Sequence, residues 1–303
     1  MAGLITTTST LSKIKQGLEL VGRAYADKQP KYWQYFVGGE RNTQNNYFEF
    51  ALQSDLGAAQ ATNEAGGVAY VQQSVPFNKK LWLNQYSLGV ILSFQVDEKA
   101  LYNKLDSVNK QIARAFYIAK EIKAADIFNF SATSGYNGID GVVLASASHP
   151  IKNGGTFSNL STAAALSASA LETDVQNVKL HRTYGDTPYF CMGGHNLIVP
   201  TSLDMLAQRI LTSTNQAGTA DNDANRVKMA VSYTPANPFL TSTTRRALVP
   251  RSAEENPIFM LKGLPYTFKE DLDSNAPGTR YFAVEEFAFD WEKPQGIQIN
   301  AGA

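Results

Sequence analysis

The chain has 303 residues, 44% of them hydrophobic and 18% charged, enough to bury a sizeable core in two or three structural units. Its 27 basic residues balance 27 acidic ones, which excludes a protein that grips nucleic acid through a large basic excess. A single cysteine, Cys191, excludes an internal disulfide framework and a cysteine-rich zinc site, and no apolar run approaches the ~18 residues of a membrane span.

The first 45 residues open on a Thr/Ser-rich stretch that lacks the basic-then-apolar order of a secretory signal. They hold one short helical pattern (Leu11, Ile14, Leu18, Val21) and the aromatic cluster "KYWQYF". So short an amphipathic segment cannot bury its own face, so it is expected to lie on something else, as an arm does. From Asn46 the pattern turns to strands: "NYFEFALQ", "VAYVQQSV" and "LWLNQYSLGVILSF". The Gly-rich and polar "SDLGAAQATNEAGG" between the first two predicts a long exposed hairpin, with Gly66 and Gly67 closing its tip.

The strongest element is a helix over 97–129. Leu101, Leu105, Val108, Ile112, Ala115, Phe116, Ala119, Ile122 and Ile127 recur at spacings of three and four, Asp97 stands as a cap, and neither Pro nor Gly interrupts. At 1.5 Å per residue it is roughly 50 Å long. Its Lys and Arg residues, mixed with Asp106, Glu121 and Asp126, predict a solvated face with i,i+4 pairs. After a Gly-rich corner, "STAAALSASALETDVQNVKLHR" predicts a helix and "YFCMGGHNLIVP" a strand interrupted at its glycines. "TSLDMLAQRILTST" predicts a helix capped by Thr201 or Ser202. The closing part, "VKMAVSY", "RRALVP", "IFMLKGLPYTFKED" and "RYFAVEEFAF", predicts strands between Pro and Gly turns, so the class is α+β.

Catalytic motifs are weak. His149, His181 and His195 show no metal-ligand spacing, and no neighbouring motif supplies an orienting partner for His149. Cys191 is expected to be a small buried residue in a strand rather than a nucleophile. "SVNK" from Ser107 lacks the partner motifs of penicillin-binding enzymes. "DNDANRVK" from Asp221 has Arg226 where a calcium loop needs Gly and Ser232 where it needs Glu. No phosphate-binding glycine loop occurs, so no enzyme activity, cofactor or metal is expected.

The order of these parts resembles the major capsid proteins of tailed bacteriophages, of the Hong Kong 97 fold and closest to its Mu-like members. The segment "GYNGIDGVVLASASHPIKNGGTFSN" looks like that family's post-helix stretch, "SDLGAAQATNEAGG" its extended loop, "LIVPTSLDMLAQRIL" its apical strand and helix, and "RYFAVEEFAFDWEKPQGI" its closing strands. The resemblance implies an N-terminal arm at 1–45, an extended-loop hairpin at 46–92, a peripheral domain at 93–165 around the spine helix, an axial domain at 166–260, and closing strands at 261–303 that return to the peripheral domain. It implies a structural protein that self-assembles into an icosahedral head around a double-stranded DNA genome, located in the virion capsid and assembled in the bacterial host cytoplasm.

The implied partners are copies of the chain itself in hexamers and pentamers, a separate scaffolding protein, a portal, a decoration protein and weak contact with packaged DNA, with no membrane. His149 and Pro150 would fix a turn beyond the helix, and Gly154 and Gly155 would supply positive φ or close approach. Ile112 and Phe116 would carry the spine's apolar stripe. Two alternatives stand beside this reading: an encapsulin-type compartment of the same fold, and a hydrolase built on Cys191 or His149. The founding member's lysine-to-asparagine cross-link is not expected here, although Lys79 and Lys80 lie in the loop region.

Overall fold

The computed structural model describes residues 20–22, 24–25, 28–56, 58–59, 61–62, 66–68, 70–93, 101–213, 224–272 and 278–303. The first 19 residues, the Asp97 cap and the start of the candidate calcium loop at Asp221 lie outside them.

Helix α1 spans Leu101–Asn129, 29 residues or about 43 Å. Ile112, Ala113, Phe116, Ala124, Ala125, Ile127 and Phe128 are buried on one side, while Ser107, Gln111, Arg114, Ile122 and Lys123 are exposed on the other. The expected solvated charge ladder is corrected in two places. Glu121 is fully buried, and Lys120 turns to a strand residue, Glu285, at 2.5 Å. Within the helix, Lys123 pairs with Asp126 at 3.0 Å, three residues on rather than four.

The helix lies on a sheet organised by the long strand β13 (Gly278–Trp291). Strand β4 (Asn84–Ser93) runs antiparallel along one side, from Phe287↔Asn84 to Gly278↔Ser93. On the other side β12 (Thr267–Leu272) pairs with the first half of β13 and β11 (Ile258–Lys262) with the second, and β1 (Gly39–Asn42) adds parallel to β11. The period-two alternation of strand side chains divides the sheet between two cores. Tyr281 and Ala283 meet Ile112 and Phe116 under the helix, and Ile258, Met260 and Phe287 continue that layer to Phe128. Phe259, Leu261 and Ala288 point the other way, where Phe50, Phe48, Phe77 and Leu81 cover them.

Those covering residues come from a hairpin, β2 (Tyr47–Leu52) and β3 (Phe77–Trp82), in register from Tyr47↔Trp82 to Leu52↔Phe77. Its last rungs are Ser54 N–H to Ser74 O at 2.9 Å and Ser74 N–H to Ser54 Oγ at 3.0 Å. The strand expected at 68–75 does not form: its described residues are without regular structure and exposed until the hairpin pairing begins at Phe77. An apolar run needs a partner strand or a face to cover, and among the described residues this one pairs only at its end, through Gln73 and Ser74 to Ser54.

The second sheet has the order β7 (Leu160–Ser161), β14 (Gln298–Asn300), β10 (Arg246–Pro250), β8 (His195–Ile198), β9 (Val231–Tyr233). Every residue of β10 is buried. Ala247 and Val249 face the first core beside Phe128 and Leu144, and Leu248 faces a second one with Leu171, Ala207 and Leu211. That second core is closed by α2 (Ala168–Lys179), α3 (Asp204–Thr212) and α4 (Val227–Ala230). Arg246, fully buried, donates through Nε to Asp174 of α2 at 2.9 Å and through Nη1 to Ala164 O at 2.7 Å.

Several local expectations change here. Ser167 caps α2 through Ala170 N–H at 3.1 Å, so the helix begins well after Ser161. Neither Thr201 nor Ser202 caps α3: a 3-10 turn at Thr201–Leu203 feeds it, and the Ser202 hydroxyl donates to Thr243 O instead. "VKMAVSY" splits into α4 and β9, and the strand of "YFCMGGHNLIVP" is confined to β8. The boundary expected at 260 falls inside β11, and the expected closing segment divides, since β13 belongs to the first sheet and β14 to the second.

Candidate functional site: the post-helix corner and the exposed loop

The corner after α1 is held by a polar knot. His149 begins β5 (His149–Pro150), which pairs with β6 (Thr156–Phe157). Its Nδ1 lies 2.6 Å from Asp140 Oδ2, and Nε2–H donates to Leu144 O at 3.2 Å. A carbonyl only accepts, so Nε2 carries a proton and Nδ1 shares one with the carboxyl group. Asn159 donates to the same Leu144 O at 2.6 Å and accepts from Ser146 N–H at 3.0 Å, while Asp140 Oδ1 accepts from Val142 N–H. The His149 and Asp140 side chains are only 1% and 5% exposed, and the Phe157 ring stacks on the imidazole.

The sequence reading assigned His149 no orienting partner. The structure supplies one, Asp140, nine residues upstream in "GIDG". Both side chains are closed off from solvent, and their remaining partners are backbone groups, Leu144 O for His149 and Val142 N–H for Asp140. Pro150 pairs with Thr156, Gly154 has φ +80°, and a Cβ on Gly155 would lie 2.8 Å from the Ile151 side chain. The corner therefore uses Gly154 for its positive φ, while the space at Gly155 is taken by the tip of the Ile151 side chain, which can shift.

Cys191 lies in a loop, not a strand, and is half-buried. Its thiol donates to Glu255 Oε2 at 3.2 Å, and burial followed by that carboxylate pushes its pKa up to about 12. Such a thiol stays protonated and is a poor nucleophile. The amides of Met192 and Gly193 also point at Glu255, which fixes the loop and displays Phe190 and Met192 to solvent. His181 accepts from Gly296 N–H through Nδ1 and donates from Nε2 to Gln298, and burial lowers its pKa to about 4. His195 is likewise lowered to about 4 by burial. Among the described residues no three His, Cys, Asp or Glu side chains gather into a metal site, and no helix is long and apolar enough to cross a membrane.

The remaining expected positions separate into two groups. Ile112 and Phe116 are buried one turn apart against Tyr266 and Tyr281, whereas Gly66 and Gly67 are exposed at the hairpin tip. That tip also exposes Leu56, Val68, Tyr70, Val71 and Val75. Its base is anchored: Lys79 Nζ lies 2.6 Å from Asp290 Oδ2 and 5.0 Å above the Trp291 ring, and Phe77 packs edge-on against Tyr184. Lys79, Asp290, Asp140 and Glu121 escape sequence reasoning because each meets its partner across the fold, or in a loop without periodicity.

The fold is that of a shell-forming subunit, a Hong Kong 97-type capsid protein. The profile of the phage capsid protein family matches residues 83–300, well over half of the chain, and the chain belongs to that family. It is a structural major capsid protein of the virion. Solved structures share the fold at low identity. The capsid of a native GTA particle has 13% identity and a TM-score of 0.57, covering 90% of each chain. Mycobacterium phage Cain has 11% and 0.55, covering 91% of each. The virus-like particle from Pyrococcus furiosus has 8% and 0.54, covering 94% of this chain and 98% of that one. No curated protein matches the sequence.

Proposed function

We propose that the chain assembles into the icosahedral head of a Mu-like tailed phage around double-stranded DNA. The observation that carries this reading is the anchored hairpin whose tip exposes Leu56, Val68, Tyr70, Val71 and Val75. A tip without regular structure buries little of its apolar surface alone and gains buried area on a neighbouring copy. In this reading residues 1–45 form the arm, 46–92 the extended loop and 93–165 the peripheral domain; the axial domain expected at 166–260 ends before β11 and takes in β14, while β11, β12 and β13 return to the peripheral domain. The "DG", "HP" and "GGTFSN" order of the corner supports the Mu-like assignment.

The partners are copies of the chain in hexamers and pentamers, a separate scaffolding protein, a portal and a decoration protein. Assembly occurs in the bacterial host cytoplasm. The balanced net charge keeps contact with packaged DNA weak and lets many copies pack edge to edge. No chemical step is part of this role. The test is to purify particles from a host that makes the chain with its neighbouring head genes, and to identify their contents. Nuclease-protected double-stranded DNA is expected. Particles that enclose only cargo protein would contradict the phage head and indicate an encapsulin-type shell.

A further inference from the structure

The arm segment before β1 is tied to the middle of α1 by one buried carboxylate. Glu121 Oε1 accepts from Tyr32 N–H at 3.0 Å and Oε2 from Trp33 N–H at 3.2 Å. These are the opening amides of a 3-10 turn, Tyr32–Tyr35, whose Trp33 enters the first core, as does Phe36 just after it. One turn away, the Tyr117 hydroxyl donates to Pro30 O. Both oxygens of Glu121 thus face the turn, so the seated turn is what closes them from water. Beside this seat lies a cavity of about 440 Å³ lined by Lys31, Trp33, Tyr117, Lys120 and Glu285, so the turn is not clamped on every side.

We propose that Glu121 is a proton-linked latch: the segment 30–36 sits on α1 with the carboxyl group protonated and loosens as that group ionises. The physical reason is desolvation. With the turn in place, burial raises the Glu121 pKa to about 7 against the two backbone hydrogen bonds, which lower it. With the turn lifted, the group returns to water and to the ordinary range near 4.5. The seated state therefore binds the proton more tightly, and seating weakens as pH rises from about 4.5 to about 7. The ionisable groups around the seat are Tyr117 and Lys120 on the helix, Tyr32 in the turn and Lys31 just before it, Glu40 on β1, Lys262 on β11, and Glu285 and Glu286 on β13. Lys120 is held by Glu285, and the phenol of Tyr117 is itself pushed up, by burial and then by Glu121.

Amide hydrogen exchange on the full chain tests this directly, since the latch's own donors are amides. After correction for intrinsic rates, protection of Tyr32 and Trp33 should fall by up to about tenfold per pH unit between about pH 5 and 7, and level off above. Glu121→Gln should remove the pH dependence. Flat protection in the wild type, a fall confined above about pH 8, or the same fall in Glu121→Gln would overturn the proposal. If that variant does not fold, the position of the wild-type fall decides alone. The test holds whether or not shells form.

Discussion

Lys79 and Asp290 join the extended hairpin to the strand that organises the first sheet, with Nζ 2.6 Å from Oδ2. The Asp290 side chain is 5% exposed and that of Lys79 25%, and Lys79 also donates to Asn137 O at 3.0 Å. Burial raises the Asp290 pKa even with the ammonium beside it. Removing the cation leaves a buried carboxyl group unpaired, the costly way to break a pair. Lys79→Met should lower unfolding stability by about 1–3 kcal/mol, the partial exposure of Lys79 keeping it below the range of a fully buried pair. Asp290→Asn should cost less. Chemical denaturation measures both, and a Lys79→Met change under about 0.5 kcal/mol would show that the hairpin is held by its apolar base alone.

The corner makes a second prediction. His149→Asn removes one partner of a buried pair, so it should cost about 1–3 kcal/mol while leaving a folded, assembling subunit. The readouts are thermal unfolding and sedimentation. Loss of a measurable catalytic turnover at unchanged stability would contradict the structural role.

The buried histidines give the subunit an acid limit. His181 and His195 are lowered from 6.5 to about 4 by burial, so their contribution is complete above about pH 6.5 and is lost as pH falls toward 4. Each corresponds to about 3 kcal/mol if the shift is fully expressed. Glu121 has the opposite sign, since a raised carboxyl pKa gives stability complete below 4.5 and lost as pH rises through about 7. Asp290, also raised by burial, has the same sign as Glu121, so the clean measurement is denaturant midpoint against pH on a Glu121→Gln, Asp290→Asn background. Midpoints should fall between about pH 6.5 and 4, and a flat profile would show that both imidazoles titrate in the folded chain as they do in the unfolded one.

Much of this architecture was legible in the sequence, where a physical signal was periodic. The apolar stripe through Ile112 and Phe116 marked α1, and the turn residues between "NYFEFALQ" and the following strands marked the hairpin. The order of those parts marked the fold. What escaped was non-periodic or long-range. Glu121 sits among alternating charges like a surface residue, and only the arm folding back 88 residues away buries it. Asp140 lies in a loop where a single carboxylate carries no spacing signal. The run at 68–75 has strand composition, yet among the described residues only its end, at Gln73 and Ser74, finds a partner, so propensity alone misplaces it.

If the exposed hairpin tip serves neighbouring subunits and not the fold of its own, removing it should separate folding from assembly. Residues 56–72, which hold Leu56, Val68, Tyr70 and Val71 and leave the Ser54–Ser74 rungs in place, should be replaced by a short Gly/Ser linker, and wild type and variant compared at equal concentration by sedimentation and negative-stain microscopy. Scaffolding protein is added if the wild type needs it. The expected result is a folded variant with unchanged circular dichroism that fails to close shells where the wild type closes them. Closed shells of normal size from the variant, or its unfolding, would contradict it.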